Sequence, residues 1–366
     1  MFGSLGEVQA DPLALATELA HASAMIGRLD QALASHPLRP AFLHRARLEA
    51  VRRQAAVDGK RIDPWHLAAL IEGLRLRMDP YQTIVERGEI FEAGRLAFGL
   101  YQWLTTPDFD QEGAVHRAEQ VISIAGGNAT PLLAGAAGTY RWLNEGGDRP
   151  PIRAALVRFW VKSGLIRAPI PLTGAASLRS EADWNQQVWP RAFLQAIAAE
   201  AEDGLQQLMD LERAWFSARG KIRPRRRNSK APMAVDIMAA TPILSASSLS
   251  KGLGMAVQNA TALLDEFCAL GIAVEVTHRS KRRLFGLRHM APIRDGVAAP
   301  RRPELGRGPG RPAVIREDEE LTEPPPLPLL TPIERRTFDY SDLEYWMRHL
   351  DAVMRAVRVN LNLGAR

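Results

Sequence analysis

From residue 12 to residue 218 the apolar side chains of this chain recur at three- and four-residue steps, and no stretch alternates apolar with polar as a half-buried strand requires. That pattern restricts the first 218 residues to an all-α domain. Its helices are punctuated at Asp58-Gly59, ahead of a Pro64 suited to a helix start, and at "GGNATPLL", "NEGGDRPP" and "APIPLTGAA". The period changes only late, after Gly271, where "IAVEV" reads as a strand and "RLFGL" as a return strand beyond the basic turn "THRSKRR". The expected fold class is therefore mainly α.

The 366 residues suffice for two domains and a tail, and 46% hydrophobic residues supply ample cores. A boundary stands at "RGKIRPRRRNSK", residues 219–230, where seven of twelve side chains are Lys or Arg and none is acidic. With a net charge of +6, such clustering is compatible with a polyanionic partner, and residues 219–231 read as a basic hinge. The same run reads equally as a solvated linker.

Beyond the hinge, "LSKGLGMAVQNATALLDEFCALGI" places Leu249, Leu253, Gly254, Met255, Ala260, Leu263 and Leu264 in the order of a helix-turn-helix. The first helix needs apolar residues near its middle and end, the turn a glycine free to take positive φ, and the second helix a small residue facing the first. "PMAVDIMAAT", residues 232–241, supplies a preceding helix, and the strand pair completes a winged helix over residues 232–296. An ordinary helical hairpin capped by Gly271 is the plainer alternative.

If the second helix, residues 256–270, enters a major groove, its N-terminal side chains Val257, Gln258 and Thr261 reach base edges, with Gln258 the foremost reader and Asn259 turned toward backbone or the turn. His278, Arg279, Lys281, Arg282 and Arg283 of the wing, with Arg225, Arg226 and Arg227 of the hinge, are expected on phosphate or in the minor groove. Residues 219–296 are expected to bind duplex DNA on their own. The single cysteine, Cys268, sits among Leu264, Phe267 and Leu270 and reads as a small core residue.

Residues 232–296, and "RRLFGLRHMAPIRDGV" in particular, resemble the winged-helix module at the C-terminus of many Fic-domain proteins. The whole chain resembles an alphaproteobacterial family that joins a domain of unknown function to a helix-turn-helix DNA-binding domain. Upstream, "PAFLHRARLEAVRRQAAVDG" is similar to a Fic N-terminal segment and "VWPRAFLQAIAAEAEDGLQQL" to the helix after the Fic core. The resemblance implies a Fic-like N-terminal domain with a degenerate loop: in "YRWLNEGGDRPPIR" Glu145, Gly146 and Arg149 match, but Arg141 or Tyr140 stands at the catalytic His, Gly147 at the Asn and Asp148 at the last Gly. A general base is missing, and Asp148 brings negative charge where a phosphate would sit.

The C-terminal quarter is of another kind. Residues 297–332 are Pro/Gly-rich and acidic, including "ELGRGPGRPA", which resembles an AT-hook core interrupted by Pro309 and reads better as linker. Residues 333–366 hold an amphipathic helix, with Ser341 and Glu344 in capping-box spacing and Leu343, Trp346, Met347, Leu350, Val353, Met354 and Val357 on one face. That face docks on the N-terminal domain or on a second copy as a homodimer. Eight scattered histidines give no metal-ligand spacing, no cofactor motif appears, and the start lacks a signal peptide. No window reaches the ~18 apolar residues of a membrane span. The expected protein is a cytoplasmic, nucleoid-associated DNA-binding regulator of transcription without enzymatic activity, with double-stranded DNA as partner. The alternatives are a divergent Fic-type nucleotidyltransferase and a non-catalytic scaffold.

Overall fold

The computed structural model describes residues 11–72, 84–222, 229–277 and 283–292. The expected contacts Arg225, Arg226, Arg227, His278, Arg279, Lys281 and Arg282 lie outside the described residues, as do the linker 297–332 and the C-terminal helix 333–366. The chain is mainly helical. Among the described residues eight α-helices come first: α1 (Pro12–Leu33), α2 (Arg39–Val57), α3 (Pro64–Ile71), α4 (Ile84–Thr105), α5 (Phe109–Gly126), α6 (Pro131–Asn144), α7 (Arg149–Lys162) and α8 (Trp189–Gly220). Asp11 and Asp63 cap α1 and α3 by accepting from Leu13 N at 3.0 Å and Trp65 N at 2.6 Å, and each cap is followed by a proline whose missing N–H costs nothing there. Asp108 and Gln111 form a reciprocal capping box at the start of α5.

The 32-residue α8 is the spine, about 48 Å long at 1.5 Å per residue. It buries Trp189, Phe193, Ile197, Leu211 and Trp215. Three buried indole N–H groups find acceptors: Trp160 on the Leu172 carbonyl at 2.8 Å, Trp189 on the Ser177 carbonyl at 2.9 Å, Trp215 on Asp236 at 2.7 Å. Glu200, buried on the same helix, accepts from the backbone N–H groups of Thr173, Gly174 and Ala175 at 2.6, 3.0 and 2.8 Å. Burial pushes its carboxyl above the usual range, against the pull of those three donors and of Arg53.

After α8 come α9 (Ala231–Ala240), β1 (Leu244–Ser245), α10 (Ala246–Leu253), α11 (Val257–Ala269), β2 (Ala273–Glu275) and β3 (Leu284–Leu287). The strands form an antiparallel sheet of order β1-β3-β2, with Leu244 opposite Phe285 and Val274 opposite Gly286. Gly286 is needed for space: a Cβ there would run into Ala291 and would meet the Pro242 carbonyl at 2.6 Å. One buried core runs through both sides of residues 219–231, joining Ile26, Phe42 and Trp215 to Met238, Leu249, Phe267 and Leu287. A smaller cluster seats Trp65, Ala68 and Ala69 of α3 on Ile243, Val276 and Leu284 of the sheet region.

Candidate nucleic-acid interface

Between α10 and α11 the chain turns on Gly254, held at φ 57° and ψ 51° in the left-handed region. A side chain there costs energy, and glycine avoids the cost. The Met255 N–H returns to the Ser250 carbonyl at 3.1 Å, and the Ser250 hydroxyl donates to the Met255 carbonyl. Lys230 donates to the carbonyls of Leu253 and Gly254, and Lys221 to the Gly271 carbonyl at 2.9 Å, placing positive charge at the C-terminal ends of α10 and α11. Both lysines of the basic run that the structure describes are thus bound to the module itself.

On α11 the small residue Ala260 is fully buried with Leu264 and Phe267, so that face is turned inward. At its N-terminal end Val257 is 50% exposed, and Gln258 and Asn259 are both exposed. Thr261 is half-buried and donates its hydroxyl to the Val257 carbonyl at 2.9 Å, which leaves Gln258 and Asn259 as the open hydrogen-bonding pair of this end. Lys251 of α10 and Arg288 after β3 are also exposed cations.

Arg283 departs from its expected place on phosphate. It pairs with Asp265 of α11 at 2.6 Å, lies 3.8 Å from Glu275 and covers the Phe285 ring at 4.7 Å. The Asp265 hydrogen bond holds its pKa above the ordinary arginine value. The guanidinium ties the strands to α11, and the two carboxylates compete with any phosphate for it. Cys268 is half-buried, and burial pushes its thiol pKa up, consistent with packing rather than nucleophilic use.

Three further residues fix how this surface is carried, and sequence reasoning missed all of them. Arg45 of α2 is buried and donates to the carbonyls of Ala239 (2.6 Å), Thr241 (3.2 Å), Met238 (3.3 Å) and Met290 (3.4 Å). It caps the C-terminal end of α9, whose last carbonyls have no partner within the helix. Burial lowers its pKa to about 10. Its neighbour His44 lies 3.3 Å from the Tyr101 hydroxyl, and burial, with Arg47 and Arg45 adding to it, lowers the imidazole to about 3. Trp65 covers the sheet region. Glu72, at the end of α3, accepts from the Ser248 hydroxyl at 2.6 Å and the Ser245 N–H at 3.3 Å. The one available signal was position: Arg45 falls three residues from each of the buried Phe42 and Leu48, on the apolar side of α2.

The segment 140–153 spans the end of α6, a tight connection at residues 145–148 and the start of α7. Arg141 pairs with Glu145 at 2.9 Å, Gly146 takes φ 82°, and the Trp142 indole donates to the Asp148 carbonyl at 2.7 Å. Arg149 and the buried Arg153 both bind Asp58, at 2.7 and 2.8 Å. Burial works to raise the Asp58 pKa, but the two guanidinium groups hold it below the usual carboxylate range. Among the described residues no group of three His, Cys, Asp or Glu is placed to share a metal ion, and no single helix is long and apolar enough to cross a membrane.

Compared with known proteins, the chain matches no family model and no curated protein.

Proposed function

We propose that this protein binds duplex DNA in a sequence-specific manner and regulates transcription, with residues 232–296 acting as a winged helix carried on a Fic-like, non-catalytic helical body. The observation that carries the reading is the N-terminal end of α11: behind a left-handed glycine turn it exposes Val257, Gln258 and Asn259 while its other face is buried. A major groove admits one helix, and glutamine and asparagine are the side chains that pair bidentately with adenine. The cations of the hinge and wing, apart from Arg283, supply the sequence-independent affinity. The test is selection of bound sequences from a random duplex pool with the full chain. Enrichment of a preferred site is expected, on which Gln258→Ala loses ~1–3 kcal/mol while binding to random duplex hardly changes. A pool that stays random after repeated selection sinks the sequence-specific reading. For the helical body the matching test is labelled ATP, from which no transfer to protein is expected because Arg141, paired with Glu145, stands where the family has its base.

A further inference from the structure

We infer that Glu72 is an autoinhibitory contact, a carboxylate seated where α10 would receive a DNA phosphate; the inference rests on the DNA-binding reading above. In a helix-turn-helix the first helix crosses the nucleic-acid backbone, and helix N-termini with their hydroxyl side chains are common phosphate donors. α10 is that first helix. Its N-terminal end offers the Ser245 N–H and the Ser248 hydroxyl, and one oxygen of Glu72 takes both, at 3.3 and 2.6 Å. Ser245 meanwhile caps the helix from the Ser248 N–H at 3.1 Å, so these serines form one hydroxyl-lined end with the exposed Ser247 beside them. The oxygen comes from a different part of the chain, 173 and 176 residues away, and is half-buried between α3 and α10. A phosphate oxygen seeks the same donors with the same sign of charge, so the two exclude one another: DNA must displace Glu72 or forgo this contact.

The experiment measures binding of the unaltered full chain, Glu72→Ala and Glu72→Gln to a random-sequence duplex by fluorescence anisotropy between 50 and 300 mM salt, with thermal melts recorded in parallel. Both variants are expected to bind about five- to tenfold tighter at 50 mM salt; the donors gained, the Ser245 N–H and the Ser248 hydroxyl, are uncharged and release no counterion, so the gain is read in affinity with little change of salt slope. Glu72→Gln keeps the acceptor atom without the charge and serves where the alanine variant melts early. Affinity equal to the unaltered chain, or weaker binding in both variants, overturns the inference and leaves Glu72 as a clamp between α3 and α10. If neither the unaltered chain nor the variants show salt-dependent binding, the DNA-binding reading itself has failed.

Discussion

Arg45 is a cation removed from water and held by carbonyl oxygens alone, an arrangement in which losing the donor is worse than never having had it. Arg45→Met would strand the carbonyls of Met238, Ala239, Thr241 and Met290 and is expected to cost ~3–5 kcal/mol, read as a lower urea midpoint at unchanged slope. Lysine in its place restores the charge but not the planar fork, and recovers only part of the loss. His44 next to it makes a pH prediction. Its folded pKa of about 3 lies below the unfolded 6.5, so the unfolded chain binds the extra proton and stability falls as pH drops below 6.5. The loss amounts to ~2 kcal/mol by pH 5. His36, lowered by burial against the pull of Glu212, adds in the same direction. His44→Asn should flatten most of this slope in a series of melts; an unchanged slope would mean that His44 is not buried neutral.

At the scale of elements, the parts set by local chemistry were legible. Residues 232–241 were expected as a helix and α9 spans Ala231–Ala240; Gly254 and Gly271 both adopt positive φ; the strands after Gly271 pair antiparallel. β1 was not legible, because two residues carry no alternation to read. Nor was the seat of α3 on the sheet, which depends on residues 65–69 meeting 243, 276 and 284, an encounter no local pattern encodes. The ion pair of Arg283 was not legible for a similar reason: its place beside a basic turn spoke of phosphate, while its partner Asp265 sits on α11. The missing α3 contact has a consequence for dissection. Residues 219–296 alone would expose Ile243, Val276 and Leu284 and lack Arg45, so this fragment is expected to show no cooperative thermal transition, unlike the full chain. A sharp melt for the fragment would show that the sheet needs no cover. Trp65→Ala in the full chain should cost ~3–5 kcal/mol by the same contact.

For the whole molecule, the proposed DNA binding would be electrostatic in its bulk and specific at one helix end. With roughly six phosphates neutralised, affinity for random duplex is expected to fall ~10³ between 50 and 200 mM salt, and equal binding at both would remove the basic run and wing from the interface. The apolar residues from Leu343 to Val357, expected on one helix face, lie outside the described residues, and such a face would call for a surface to cover it. Truncation after Leu329 followed by light scattering tests whether a second copy does so: a dimer that becomes monomeric supports the homodimer, and an unchanged mass removes it. The Arg45 clamp also orders the molecule in time. Arg45 leaves the ribosome 193 residues before Met238, the first of its acceptors, about 10 to 40 seconds at ordinary rates of synthesis. Throughout that interval α2 carries a charge whose acceptors do not yet exist. Its burial awaits the end of α9, so a chain cut short before Met238 is expected to leave this arginine in the open.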